Sequence, residues 1–456
     1  MGEAQAKGAA GGRSGSAREI RGRSLWLLAA VPWLMVLGNS MLFPIFPKMQ
    51  SAIGVTEMQT SVIVTAFSIP AGLLIPVAGY LSDRYGRRPV MVPGVVLFGL
   101  GALVAALAST FLAHPYGILL VGRVIQGMGA AAMSQLAMAM AADLFEGRTR
   151  PRAMGTIEAA NGFGKVVSPI SGAAVGLIAW FLPFYIFAAL SLPLSLALWF
   201  FTREPAGVGQ KIRIGPYVQR IRRIFDDRGM ALVSGLLSGI AIMFLLFGTL
   251  FFLSEALEKR FHVSEMMTGL ILAIPVAALS VTSYVVGSGL AKRQPLSRPA
   301  VLTGVAALGA VMGVLALWHS RTVLYVAISF MGLGAGVALP SLNLLITSSA
   351  KQKERGLITS LYGAVRFFGV ALGPPTFGFL MKKGEPILFG VAAAFAFATL
   401  VVAYFLLSSK KLLAKEGGSG PQEGPGSERP REGTDGPRVK RVHPGPLPGQ
   451  GVRTRT

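Results

Sequence analysis

Twelve apolar stretches follow one another along the chain, at 25–47, 60–81, 90–110, 115–142, 154–176, 179–201, 230–254, 266–288, 299–318, 322–347, 357–381 and 386–409. Each is close to the roughly 20 residues that a helix needs to cross about 30 Å of hydrocarbon. In lipid every backbone N–H and C=O must find its partner within its own segment or within a closed barrel, so spans of this length are helices. The expectation is an all-α membrane protein of twelve transmembrane helices. The break between the fifth and sixth spans, at Ala179–Trp180, is the least marked of the boundaries.

Composition agrees. Only 14% of residues are charged, against roughly 25% in soluble domains. The formal charge of +23 would suggest nucleic acid in a soluble chain, yet the placement of the basic residues gives another reason for it. With the N-terminus inside, the inner segments hold 34 Lys and Arg and the outer ones 6, and this asymmetry orients a polytopic protein. The reading is a multi-pass plasma-membrane protein with both termini cytoplasmic and no nucleic-acid partner. The chain has no cysteine, which excludes disulfides, thiolate metal sites and cysteine nucleophiles. Its four histidines, His114, His262, His319 and His443, have no ligand spacing, so no metal, cofactor or enzymatic activity is expected.

The two halves echo each other. "RVIQGMGAA" from Arg123 aligns with "ISFMGLGAG" from Ile328, so that Gly127 meets Gly332 and Gly129 meets Gly334. At the same offset Pro169 of "VVSPISGAA" falls on Pro374 of "VALGPPTFG". Such a repeat implies two pseudo-symmetric six-helix bundles facing a central cavity, the layout of secondary transporters, although chance alignment of glycine-rich helices can produce similar matches. The organisation expected is a cytoplasmic segment 1–24, a bundle 25–201, a linker 202–229, a second bundle 230–409 and a tail 410–456. The linker carries "YVQRIRRIF", which reads as an amphipathic helix on the inner leaflet. The tail is rich in Gly, Pro, Glu and Arg and reads as disordered.

The stretch "GYLSDRYGRRPV", Gly79 to Val90, concentrates three arginines and an aspartate in the loop between the second and third spans. A topology anchor needs only the arginines. The fuller pattern of Gly79, Asp83, Arg84, Gly86, Arg87 and Arg88 resembles the signature loop of the major facilitator superfamily. That resemblance implies a latch whose aspartate and arginines pair with helix ends of the opposite bundle and close the cytoplasmic side. In the second half "GLAKRQPLSRP" keeps Gly289, Arg298 and Pro299 but has Arg293 in place of the aspartate.

Further motifs resemble those of the twelve-span drug:proton antiporter family within that superfamily. They are "LGNSMLFPIFP" from Leu37, the span-4 set Arg123, Gln126, Gly127 and Gly129, and the span-5 set Gly164, Ser168, Pro169, Gly172 and Ala173, in which Ser168 and Ala173 replace glycines. The resemblance covers about 25 to 409. It implies alternating access, with Arg123 in proton coupling. Asn39 stands where several relatives have an acidic residue in span 1. The span-5 set also has a plain packing reading, because small residues at spacing four let helices approach closely. "NGFGKVVS" is no phosphate loop, since Val166 follows Lys165 and the earlier glycine is missing.

Few ionisable residues are left inside the spans: Arg123, Glu158, Lys165 and Arg366, with Asp143 and Glu255 near span ends. A charge at the bilayer centre costs at least about 2.5–3.5 kcal/mol on insertion scales, so each asks for a role. Glu158 and Lys165 lie two turns apart on one helix face, with Asn161 between them. Glu158, Arg123 and Lys165 are the proton-coupling candidates, with Glu158 as carrier or, alternatively, a solvated loop-side acid. Arg123 is alternatively a snorkelling charge. Arg366 is open to a backbone carbonyl or an anionic substrate group. Asn39, Gln126, Asn161, Asn343 and Arg366 are the substrate-cavity candidates. The function expected is proton-coupled efflux of hydrophobic or amphipathic small molecules by a monomer in the lipid bilayer. A lipid or glycolipid flippase, or a uniporter or symporter of a small solute, is the alternative.

Overall fold

The computed structural model describes residues 22–147, 149–204, 214–290, 294–318, 320–349, 355–408 and 412. Twelve long helices account for nearly all of them, and there is no strand among the described residues. The first six are α1 (Gly22–Ile53), α2 (Glu57–Tyr85), α3 (Arg87–Phe111), α4 (Tyr116–Leu144), α5 (Thr149–Ile178) and α6 (Leu182–Phe201). The second six are α7 (Ile214–Lys259), α8 (Glu265–Leu290), α9 (Ser297–Leu317), α10 (Arg321–Ser348), α11 (Arg355–Met381) and α12 (Glu385–Leu406). Among the described residues eleven helices are long and apolar enough to cross a membrane. The twelfth is α5, as long as the others but diluted by Arg150, Arg152, Glu158, Asn161 and Lys165.

Polar side-chain caps start two of the helices. Thr56 begins α2 by accepting the N–H of Gln59, whose side chain accepts the N–H of Thr56 in return. Ser320 caps α10 with its hydroxyl alone, which accepts the N–H of Val323. The paired prolines of "LGNSMLFPIFP" interrupt α1, which turns at 41–42, makes a 3₁₀ turn over Phe43–Ile45 and resumes as Phe46–Ile53. Between α5 and α6 the break is a turn of only three residues, pinned by Trp180 edge-on against Phe181. Part of the linker is helical: 214–228 runs directly into the apolar Gly229–Lys259 across a kink at Gly229.

Packing repeats between the halves. α1 lies on α5 as α7 lies on α11, and α3 joins α4 and α6 as α9 joins α10 and α12. The close approaches repeat too: a Cβ on Gly127 would sit 2.1 Å from the Phe67 carbonyl oxygen of α2, and one on Gly332 would sit 2.1 Å from that of Pro275 in α8. Only glycine fits either crossing. Arg88 donates to the Thr202 carbonyl at the end of α6 and lies over Trp199. Arg298 does the same in the second half with the Leu407 carbonyl and the Tyr404 ring. The chain thus forms two pseudo-symmetric six-helix bundles, α1–α6 and α7–α12. They meet along two seams, α2 on α11 and α5 on α8. Outside, the bundles present exposed Phe200, Leu317, Trp318 and Phe405, the apolar surface with interfacial aromatics that a bilayer covers.

Candidate functional site

Both seams depend on small residues. On α5 a Cβ at Gly172 would lie 2.1 Å from the Met41 carbonyl oxygen of α1, and Gly164 abuts Trp33. The opposite face of α5 meets the second half, where Gly269 of α8 sits on Pro169 and Ala173. The span-5 motif therefore packs two ways, holding α1 within its bundle and letting α8 approach across the seam. On the other seam Gly72 of α2 meets Ala364 and Phe367 of α11, and Thr65 donates to the Ala371 carbonyl at 2.6 Å. The helical stretch that carries Ala364 and Phe367 also carries Arg366.

At the helix ends away from the signature loop, polar side chains bridge the bundles. Gln50 of α1 donates to Glu255 of α7 at 2.6 Å and accepts from Lys259 at 2.7 Å. Lys259 also pairs with Glu57 of α2 at 2.8 Å and with Glu255 at 2.9 Å. Lys48 of α1 pairs with Glu265 of α8 at 3.2 Å and donates to the Gly176 carbonyl. Glu255 is 1% exposed. Gln50 and Glu255 are 205 residues apart, the offset of the internal repeat, so the symmetry mates themselves close this end. The sequence pointed to Glu255 only as a charge near a span end. What was missing was its cross-bundle partner, which no spacing along the chain reveals.

The signature loop is bound into its own bundle. Arg87 pairs with Asp83 at 2.5 Å and with Asp143 of α4 at 3.1 Å. Glu204, just past α6, accepts the backbone N–H groups of Arg87 and Arg88 at 2.5 and 2.8 Å and so caps the start of α3. Gly86 has φ +110°, a conformation that disfavours a side chain, and a Cβ there would strike the Glu204 carboxylate. Arg84 stays local, accepted by the Tyr80 hydroxyl and lying over Tyr85. Glu204 was not foreseen, because in sequence it is an ordinary acid in a loop. Arg293, the degenerate counterpart of Asp83, lies outside the described residues.

Arg123 is fully buried and does not snorkel. Its guanidinium donates to the carbonyls of Gly38 and Ile63 and to Gln126, reaches Asn39 at 3.5 Å and lies 4.4 Å over the Phe67 ring. The structure thus gathers Arg123, Gln126 and Asn39 into one knot of α1, α2 and α4. It does not bring Arg123 to Glu158, which is exposed on α5 instead of lying in an apolar pocket. Lys165, two turns further along, is partly buried and feels both Glu158 and, across the bundles, Arg366. Asn161 and Ser168 flank it, each with a buried oxygen that has no hydrogen-bond partner. Arg366 lies near the Met243 sulfur and the Tyr362 ring, and its Nε is buried without an acceptor. Asn343 is exposed on α10. Among the described residues no cluster could hold a metal ion.

A groove of about 480 Å³ between α9 and α10 is lined by Ala, Val, Thr and Phe only, and bears no charge that could select a solute. The polar centre between α5 and α11 is the better candidate.

Comparison with known proteins agrees with this architecture. The sequence profile of the Major Facilitator Superfamily matches residues 28–374 and 297–442. The bacillibactin exporter of Bacillus subtilis is 39% identical over 85% of this chain and 97% of its own length. The class C tetracycline resistance protein of Escherichia coli is 28% identical over 75% of this chain and 85% of its own. A D-xylose-proton symporter of known structure superimposes with a TM-score of 0.68 at 14% identity, covering 85% of this chain and 98% of that one. The profile match spans well over half of the sequence, and the chain belongs to the Major Facilitator Superfamily.

Proposed function

We propose that the protein is a secondary active efflux transporter that moves amphipathic small molecules out of the cell in exchange for protons. Its relatives include an exporter of bacillibactin and a tetracycline resistance protein. The carrying observation is the distribution of polarity along the bundle interface. One end is tied by Gln50–Glu255–Lys259–Glu57 and by Lys48–Glu265, the seams are small-residue contacts, and Arg366, its Nε without an acceptor, sits between. Such an interface lets the two bundles rock about the seams while a short polar tie at one end makes and breaks.

On this reading 25–201 and 230–409 are the moving units and 202–229 joins them. The loop from Gly79 to Arg88 serves as the cytoplasmic latch, and the protein works as a monomer in the plasma membrane with both termini inside. Protons drive the exchange through carboxylates that reach opposite sides. Glu158 is accessible beside Lys165, and Glu255 is sealed within the far tie until that end opens. A proton that neutralises either acid changes the relative stability of the two states, and a ligand coupled to the same states moves the other way.

The test is substrate-induced proton movement. Proteoliposomes holding the full chain and a trapped pH dye are given bacillibactin or tetracycline against a pH gradient, beside Glu158→Gln and Glu255→Gln variants. A compound-dependent pH change that is lost in at least one variant supports exchange. Transport with no pH change, unaltered in both variants, removes proton coupling from the reading.

A further inference from the structure

Lys165 and Arg366 stand on α5 and α11, helices from different bundles that flank the centre of the interface. The contrast with Arg123 is instructive. Arg123 is fully buried and ringed by carbonyl and amide acceptors and an aromatic ring. Arg366 has nothing of the kind among the described residues. Its contacts are a methionine sulfur at 4.0 Å and the Tyr362 ring at 5.5 Å, and its Nε is buried without an acceptor. Lys165 forms no ion pair with a described carboxylate. Glu158, the acid on its own helix, is two turns away and exposed.

Arg366 acts against the charge of Lys165 across a medium that screens poorly, and the carboxylate that favours that charge, Glu158, stands two turns away on the same helix without forming an ion pair. The unmade hydrogen bonds around them are also directional. The Nε of Arg366 needs an acceptor, and the hydroxyl of Ser168 and the amide of Asn161 lie within one turn of Lys165 with buried oxygens unused. An oxyanion would satisfy the cations, and a ligand hydroxyl would satisfy Asn161. Met243 and Tyr362 beside the guanidinium offer an apolar and aromatic wall for the remainder of such a molecule.

We propose that Lys165 and Arg366 form an anion subsite in the transport cavity, and that the transported compound is a small amphipathic organic anion. The proposal rests on the efflux reading for its direction of movement but on the interface alone for its chemistry. Because the two cations belong to different bundles, an anion held by both also ties the bundles' centres together, which gives the ligand different affinities for the two states.

The experiment measures binding to the purified full chain by fluorescence, with 1-pyrenebutyrate and 1-pyrenebutanol as probes that share a ring system and differ in charge. Wild type should bind the carboxylate about tenfold more tightly than the alcohol, the size of effect that a charge-assisted contact gives. In Lys165→Gln and Arg366→Gln the ratio should fall to about one, and Arg366→Lys should recover part of it. The ratio is taken within each variant, so a loss of active protein does not imitate the effect, and thermal unfolding of each variant is recorded alongside. Wild type that binds the two probes equally, or binds neither, overturns the proposal, as does a ratio unchanged in both glutamine variants. Binding in detergent involves no gradient and no direction. Anion discrimination without proton exchange therefore leaves this subsite standing and sinks only the coupling mechanism.

Discussion

Glutamine at position 255 should open the end of the transporter that the polar tie holds closed. Glu255 accepts from Gln50 at 2.6 Å and pairs with Lys259 at 2.9 Å, with its carboxylate wholly buried. A hydrogen bond to a buried charged group contributes about 1.5–3 kcal/mol, and a glutamine of the same shape keeps roughly half of that. The Lys259 pair adds less than about 1 kcal/mol, because the lysine is 45% exposed and screened by water. Together the loss comes to about 2 kcal/mol against the closed end, a shift of about 30-fold in the ratio of the two states. The absence of native cysteine makes the measurement direct. Spin labels on Ser51→Cys in the first bundle and Lys382→Cys in the second, both exposed at that end, report the opening as a longer interlabel distance. A distance distribution that is identical in wild type, Glu255→Gln and Lys259→Gln would show that the tie carries no conformational energy and that the reasoning is wrong.

Two further outcomes are expected. Asp83→Asn removes a partly exposed pair with Arg87, worth about 0.5–1 kcal/mol, so membrane expression should stay near normal while transport rate falls; undiminished transport reduces the loop to a topology anchor. Gly172→Val drives a side chain into the Met41 carbonyl and should cost about 1–3 kcal/mol, read as a lower melting temperature in detergent, whereas Gly155→Ala, with nothing within 4 Å, should be neutral or slightly stabilising.

The helices and their number were legible because hydrocarbon imposes a length and a composition on every span. α5 was the test of that logic, since its polar residues take it below the apolarity of its neighbours, yet the stretch 154–176 was long and apolar enough to be read as a span with the rest. The signature loop was legible as a unit, yet its cap was not: Glu204 arrives from the far side of the bundle, more than a hundred residues later. Arg123 shows the same limit from the other direction. Its sequence position allowed a coupling charge or a snorkelling one, and only the packing of α1, α2 and α4 around it supplied the acceptors that bury it.

The amino-acid sequence by itself determined what is local or periodic: twelve spans, the repeat, the glycines and prolines at set spacings, and the rarity of the intramembrane charges. Tertiary structure decided which of those charges are satisfied. Arg123 is enclosed by its own bundle, Glu255 is shared between bundles, and Lys165 and Arg366, on helices of different bundles, are in no ion pair among the described residues. The physical reason is that a charge in a membrane is governed by its neighbours within a few ångströms, and here those neighbours come from helices remote in the chain.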